Sequence, residues 1–148
     1  KILIEEAVVG REIEVAVLGN EAPEASMAGE VIPHHDFYSY EAKYLDEHGT
    51  GLMIPAKLPK VLMRKAQALA VRTFKTLGLE GMARVDFFMK KDGAFVVNEV
   101  NTIPGFTKIS MYPKLWAASG LSYPKLVDRL VRLALERHAR RRRLKTSV

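Results

Sequence analysis

The sequence predicts an α/β (α+β) fold in which a mostly antiparallel sheet is covered by helices, and three stretches of chain carry that prediction. Residues 12–18 alternate: Ile13, Val15 and Val17 share one face and Glu12, Glu14 and Ala16 the other, the two-residue period of a strand. Over residues 60–77 the side chains Leu62, Ala66, Leu69, Ala70, Phe74 and Leu77 recur at helical spacing and form one buried stripe. Asp92-Gly93 stands between two apolar runs, 81–89 and 94–100, where it marks a tight hairpin.

The other elements follow in chain order. Residues 2–7 read as a strand, ended by a turn around Val9, Gly10 and Arg11, and a further strand falls around 28–32. From 33 to 50 the sequence passes through His, Asp, Tyr, Ser and Gly with no period, which predicts a long loop of the kind that serves function or stays disordered. Pro59 and Gly78 bracket the 60–77 helix, since proline suits a helix start and glycine the position just past its end. After the hairpin come a loop through Thr102, Ile103, Pro104 and Gly105, then a short helical stretch over 112–119. A last helix over 123–140 turns Leu126, Val127, Leu130, Val131 and Ala134 inward.

With 148 residues and a hydrophobic share of 48%, the chain can bury a core of its own. It has no apolar run of about 18 residues, as a membrane span would need, and no charged-then-apolar leader follows Lys1. Cysteine is absent, which removes disulfides and thiolate metal sites and agrees with a cytoplasmic location. The opening on Lys1, inside an apolar run, predicts a piece of a longer protein. Much of the net charge of +6 gathers in Arg137, Arg140, Arg141, Arg142, Arg143 and Lys145. Cations there suit the end of a helix, and no aromatic residues are interleaved for base stacking, so neither a nucleic-acid nor a membrane partner is expected.

The hairpin brings chemistry together. With Asp92 and Gly93 as the two turn residues, Lys91 pairs with Ala94, Asp86 lies opposite Glu99 and Arg84 opposite Asn101; a four-residue loop over 91–94 keeps that register. Arg84, Asp86 and Phe88 then share a face with Glu99 and Asn101. Two facing carboxylates repel and need a compensating charge. Either Arg84 bridges them, or a divalent cation is held by Asp86, Glu99 and the Asn101 amide oxygen, a set that suits Mg²⁺. Pro104 stiffens the turn that follows, and Gly105 lets a ligand approach its backbone N–H.

These stretches carry a resemblance. Residues 83–88 (Ala-Arg-Val-Asp-Phe-Phe) and 98–106 (Asn-Glu-Val-Asn-Thr-Ile-Pro-Gly-Phe) resemble the metal and substrate motifs of D-alanine–D-alanine ligases of the ATP-grasp superfamily. Residues 37–44 (Phe-Tyr-Ser-Tyr-Glu-Ala-Lys-Tyr) are similar to that family's mobile active-site loop, and 4–12 to its adenine-binding hinge. The resemblance runs from residue 1 to about 135. It implies that 1–139 is the C-terminal ATP-grasp catalytic subdomain and 140–148 a basic tail. The N-terminal substrate domain and the central ATP-grasp subdomain would lie outside this chain, which alone would have little or no activity.

The activity implied is ATP-dependent formation of D-alanyl-D-alanine through an acyl phosphate, for peptidoglycan precursors. Asp86, Glu99 and Asn101 would bind two Mg²⁺ ions, with Mn²⁺ as a substitute. Arg84 and the Gly105 N–H would stabilise the oxyanion of the tetrahedral intermediate. Glu5 and the backbone of Glu6 and Val8 would meet adenine, Glu12 the ribose hydroxyls, and Phe37, Phe88 and Asn98 would complete the nucleotide site. Lys43 would neutralise phosphate charge on loop closure. Tyr44 would line the second substrate's site, where relatives that accept D-lactate carry histidine. Ser110 and Met111 would hold that substrate's carboxylate, although Ser110 equally suits a helix cap. The family suggests a homodimer. Two alternatives stand beside this reading: an ATP-grasp carboxylate–amine ligase with other substrates, and a non-catalytic basic domain that binds nucleic acid.

Overall fold

The structure is a computed structural model and describes residues 2–33, 50–107 and 109–144. Its strands are β1 (Arg11–Gly19), β2 (Glu24–Pro33), β3 (Thr50–Met53), β4 (Gly81–Met89) and β5 (Phe95–Asn101), and its helices α1 (Lys60–Thr76), α2 (Met111–Ala118) and α3 (Tyr123–Arg142). The strands form one sheet in the order β3-β2-β1-β4-β5, every pair antiparallel. β1 is therefore central, and both of its faces are covered from Ile13 onward.

Alternation sends the two sets of side chains to two cores. Ile13, Val15 and Val17 join Ala83, Val85 and Phe87 against Ala66, Ala70 and Phe74 of α1. On the other face Ala16, Leu18 and Val31 meet Tyr112, Leu115 and Trp116 of α2 and Leu126 and Leu133 of α3. The sheet is thus the middle of three layers. Burial of a side chain such as Phe74 or Phe87, both fully enclosed, stabilises by about 1.5–3 kcal/mol.

The predicted punctuation acts as expected. α1 starts after Pro59 and ends with Gly78 at φ +63°, while Gly78 N–H donates to Lys75 O (3.0 Å) and Leu79 N–H to Phe74 O (3.1 Å). That pair of bonds satisfies carbonyls the helix would otherwise leave open, and a left-handed residue is needed to make it. The β4–β5 hairpin needs one more loop residue than a two-residue turn has. Gly93 N–H donates to Lys90 O (2.9 Å) and Lys90 N–H to Ala94 O (2.8 Å), and Gly93 takes φ +80°. This is the three-residue loop with a left-handed glycine.

Three expectations are corrected. Residues 2–9 form neither strand nor helix, and Ile2, Leu3 and Ile4 are 80–91% exposed; they pair with no strand of the sheet. Leu77 lies past the end of α1 and is exposed. The inner stripe of α3 runs through Leu126, Leu130 and Leu133, whereas Val127, Val131 and Ala134 face outward. Two adjacent apolar stripes compete there, and the one aimed at Leu18 and Val31 is buried. The arginines from 140 to 142 are the last turn of α3 itself, with Arg137 and Arg140 paired to Glu80 and Arg140 also to Glu21. The 33–50 loop lies, apart from its two ends, outside the described residues.

Candidate active site

The polar face is built from strand register. Gly29 of β2, Glu14 of β1, Asp86 of β4 and Glu99 of β5 are successive cross-strand partners, one row across four strands. Glu12 pairs with Phe88 one row away, and Arg84 pairs with Asn101 in the row on the other side. Asp86 and Glu99 face each other as the hairpin predicts, but by two compensating steps. Close to the turn Met89, Phe88 and Phe87 pair with Phe95, Val96 and Val97; a bulge then leaves Asn98 unpaired and restores the predicted register. The extra loop residue and the bulge cancel. Asn98 lies exposed at that bulge, where the strand is locally re-aimed beside the carboxylates.

Arg84 is the hub. Its Nε and Nη2 donate to the two Asp86 oxygens at 2.8 and 2.7 Å, its Nε is 3.0 Å from Glu14 Oε2, and its Nη2 is 3.8 Å from Glu99 Oε1. Burial works against its charge, but the hydrogen-bonded Asp86 and the charges of Glu14, Asp86 and Glu99 outweigh it and raise the guanidinium pKa. The guanidinium bridge, one of the two compensations the sequence left open, is formed. Asp86 and Glu14 are buried, while the Glu99 side chain is 56% exposed and reachable.

The donor set fits a hard cation. Two carboxylates and an amide oxygen stand on neighbouring strands and one face, and Asn101 Oδ1 spends one lone pair on Ile103 N–H (3.0 Å), which leaves another. Among the described residues no three His, Cys, Asp or Glu side chains converge as a metal cage. A cation here would therefore rely on Asp86, Glu99, Asn101, water and phosphate oxygens. Binding it would draw Asp86 away from part of its Arg84 contact.

The Asn101–Ile103 bond also starts the loop that carries Pro104 and Gly105. Ser110 closes that loop: its Oγ accepts from Thr107 N–H (3.0 Å) and lies 2.8 Å from Thr107 Oγ1, and a Cβ at Gly105 would fall 2.9 Å from it. Ser110 occupies the cap position of α2 but makes no side-chain cap, so that alternative is not realised. Tyr123 OH donates to Phe106 O (3.1 Å) and anchors the loop from α3. Met111 has its side chain in the core, so any contact it makes with a ligand falls to its backbone at the start of α2. A helix N-terminus with no acid in its first turn favours an anion.

The other predicted residues are less closely gathered. Glu12 and Phe88 are half-buried beside the row; Glu5 and Glu6 are exposed in the segment leading to β1, and Val8 there is half-buried. Phe37, Lys43 and Tyr44 lie outside the described residues. Glu14 is the residue that sequence reasoning missed. Its signal was a charge at the centre of an otherwise apolar strand, on the Glu12 face; what the sequence did not show was that β1 lies beside β4.

The family model for the C-terminus of D-ala D-ala ligases matches residues 1–132. The chain belongs to the D-alanine–D-alanine ligase family. It is 58% identical over all 148 residues to the D-alanine–D-alanine ligase of Shouchella clausii and 51% identical to D-alanine–D-alanine ligase A of Salmonella typhimurium. It spans 40% and 41% of their lengths. Among solved structures, the Coxiella burnetii D-alanine-D-alanine ligase matches with TM-score 0.81 and 45% identity, over 93% of this chain and 35% of that one. The VanG D-Ala:D-Ser ligase of Enterococcus faecalis matches with TM-score 0.77 and 36% identity, over 86% and 37%. A Bacillus anthracis D-alanine–D-alanine ligase complexed with ATP matches with TM-score 0.74 and 30% identity, over 93% and 43%. Among the described residues no helix is long and apolar enough to cross a membrane.

Proposed function

We propose that this chain is the metal-binding, catalytic C-terminal part of an ATP-dependent ligase that joins two D-alanine molecules. The observation that carries the reading is the Arg84–Asp86–Glu99–Asn101 cluster, set on one sheet face directly before the Pro104–Gly105 loop. ATP phosphorylates the carboxylate of the first D-alanine; the amine of the second attacks the acyl phosphate, and phosphate leaves. Such transfer depends on positioning and charge neutralisation more than on covalent help from the protein.

Asp86, Glu99 and Asn101 would hold two Mg²⁺ ions, which supply positive charge to the ATP phosphates and a template for transfer. Arg84 and the Gly105 N–H would stabilise the oxyanion of the tetrahedral species, each worth about 3 kcal/mol. Glu5, Glu6 and Val8 bind adenine and Glu12 the ribose, with Phe37, Phe88 and Asn98 beside them. Lys43 meets phosphate as the loop closes and water is excluded. The second D-alanine lies against Tyr44, with its carboxylate at Ser110 and the Met111 N–H. Phosphate-binding lysines and the site of the first substrate come from the remainder of a whole ligase, which works in the cytoplasm as a homodimer.

The match to a D-Ala:D-Ser ligase makes the second substrate the point to test. ATP hydrolysis is measured in a whole ligase whose C-terminal part is these 148 residues, with D-alanine, L-alanine, D-serine or D-lactate added in turn. Turnover that requires D-alanine alone is expected. Turnover that prefers D-serine with D-alanine would move the second substrate, and turnover with none would overturn the reading.

A further inference from the structure

We propose that Glu14 is a positioning residue that keeps Arg84 in place when Asp86 and Glu99 turn to a cation; this rests on the ligase reading above. Arg84 has three carboxylates around it, at 2.7 Å (Asp86), 3.0 Å (Glu14) and 3.8 Å (Glu99). Two of the three belong to the metal set. A cation that recruits Asp86 and Glu99 takes away the bidentate partner of Arg84 and adds a positive charge nearby. The guanidinium is then both released and repelled, at the moment when its charge is needed beside the oxyanion.

Glu14 is placed to prevent that. It shares the row with Asp86 and Glu99 but is buried on β1, with β4 between it and the exposed Glu99 of β5, so it keeps its role when a cation arrives. It is only 5% exposed, and a buried carboxylate away from countercharge is costly, which favours keeping Glu14 within its 3.0 Å ion-pair distance of Arg84. The row continues to Gly29, where a side chain would collide with Leu115 and Met111 of α2. Glu14 therefore sits on a strand whose next neighbour is pressed against α2, the helix that begins at the substrate loop, and has little room to shift.

The test uses the whole ligase and four variants: Glu14→Gln, Glu14→Asp, Arg84→Lys and the Glu14→Gln/Arg84→Lys double variant. Glu14→Gln is expected to lower kcat about 10–100-fold, as the loss of an outer-shell partner does, with KM for ATP within about twofold. The double variant is expected to be no slower than Arg84→Lys, because both remove one device. A readout independent of turnover is the Arg84 Nε–H resonance with Mg²⁺ and a non-hydrolysable ATP analogue. It should stay slow to exchange in the wild type and be lost in Glu14→Gln. If Glu14→Gln does not fold, Glu14→Asp, which withdraws the carboxylate by one methylene, decides: a lowered kcat with unchanged KM supports the role and a wild-type kcat overturns it. Fully additive losses in the double variant, or an unchanged Arg84 resonance, would also overturn it. An inactive wild type would instead sink the ligase reading itself.

Discussion

On the face of the sheet covered by α1, β1 and β4 present Ile13, Val15, Val17, Ala83, Val85 and Phe87; on the opposite face the same strands present Glu12, Glu14, Arg84 and Asp86. Both sets obey the same alternation; all of the first are buried, and in the second Glu14 and Asp86 are buried while Glu12 and Arg84 are half-buried. The first set is a core. The second includes a largely enclosed charge cluster, in which Glu14, Asp86 and the more exposed Glu99 surround the Arg84 guanidinium, and apolar side chains at the buried positions would serve stability as well or better. The helices on that face enclose Ala16, Leu18 and Val31 and leave the charged end to the substrate loop. Where a sheet holds charges that its fold does not need, the reason lies in what the charges bind.

The comparison can be broken first where the expected effect is largest. Phe87→Ala, on the α1 face, should lower the stability of a whole ligase by about 3–5 kcal/mol, read by denaturation, with the KM values of the residual folded enzyme unchanged. A mild effect there would mean that the α1 face is not the structural core. Next comes the polar face. Replacing Glu14, Arg84 and Asp86 together by Leu, Met and Leu should leave stability unchanged or raised by up to about 4 kcal/mol while activity disappears. A steep loss of stability in that variant would make the cluster a structural device.

Much of this division was legible in the sequence, and the failures share a cause. The alternation of residues 12–18 and the α1 stripe assign the α1 core directly, because each rests on a local period. The Asp86–Glu99 pairing was also legible, yet only because the extra loop residue at 91–93 and the bulge at Asn98 offset one another. Glu14 was not legible as a site residue, since its neighbour across the sheet is 72 positions away in sequence, from 14 to 86, and no local pattern announces that β1 lies beside β4. Val127 and Val131 were misplaced for a related reason: two apolar stripes lie side by side on α3, and only the position of the sheet selects between them. Residues 2–7 open on the apolar run Ile2-Leu3-Ile4, which reads as a strand, but a strand also needs a partner.

Smaller effects sharpen the picture. Tyr112 is fully buried and its hydroxyl donates to Val17 O (2.9 Å), linking α2 to β1. Burial holds its pKa above the ordinary 10.0, against a smaller lowering from Trp116. Its contribution to stability is therefore complete below pH 10, where the unfolded phenol is still protonated, and is lost as pH rises beyond it. Alkaline melting should show that slope, and Tyr112→Phe should remove it at a cost of about 1 kcal/mol near neutral pH. Smallest of all is Arg140→Ala. It breaks contacts with Glu21 and Glu80 at the partly exposed end of α3 and should change stability by less than about 1 kcal/mol, with catalysis untouched.

The central claim is that the Asp86, Glu99 and Asn101 set holds a divalent cation together with ATP. Mn²⁺ binding, followed by its electron paramagnetic resonance in a whole ligase with and without ATP, tests it most directly when wild type and Glu99→Gln are compared. The account predicts ATP-dependent binding in the wild type and a loss of affinity of at least about tenfold in the variant, with the fold intact by circular dichroism. Equal Mn²⁺ affinity in the two proteins would contradict it and leave Arg84 as the charge that Asp86 and Glu99 meet among the described residues.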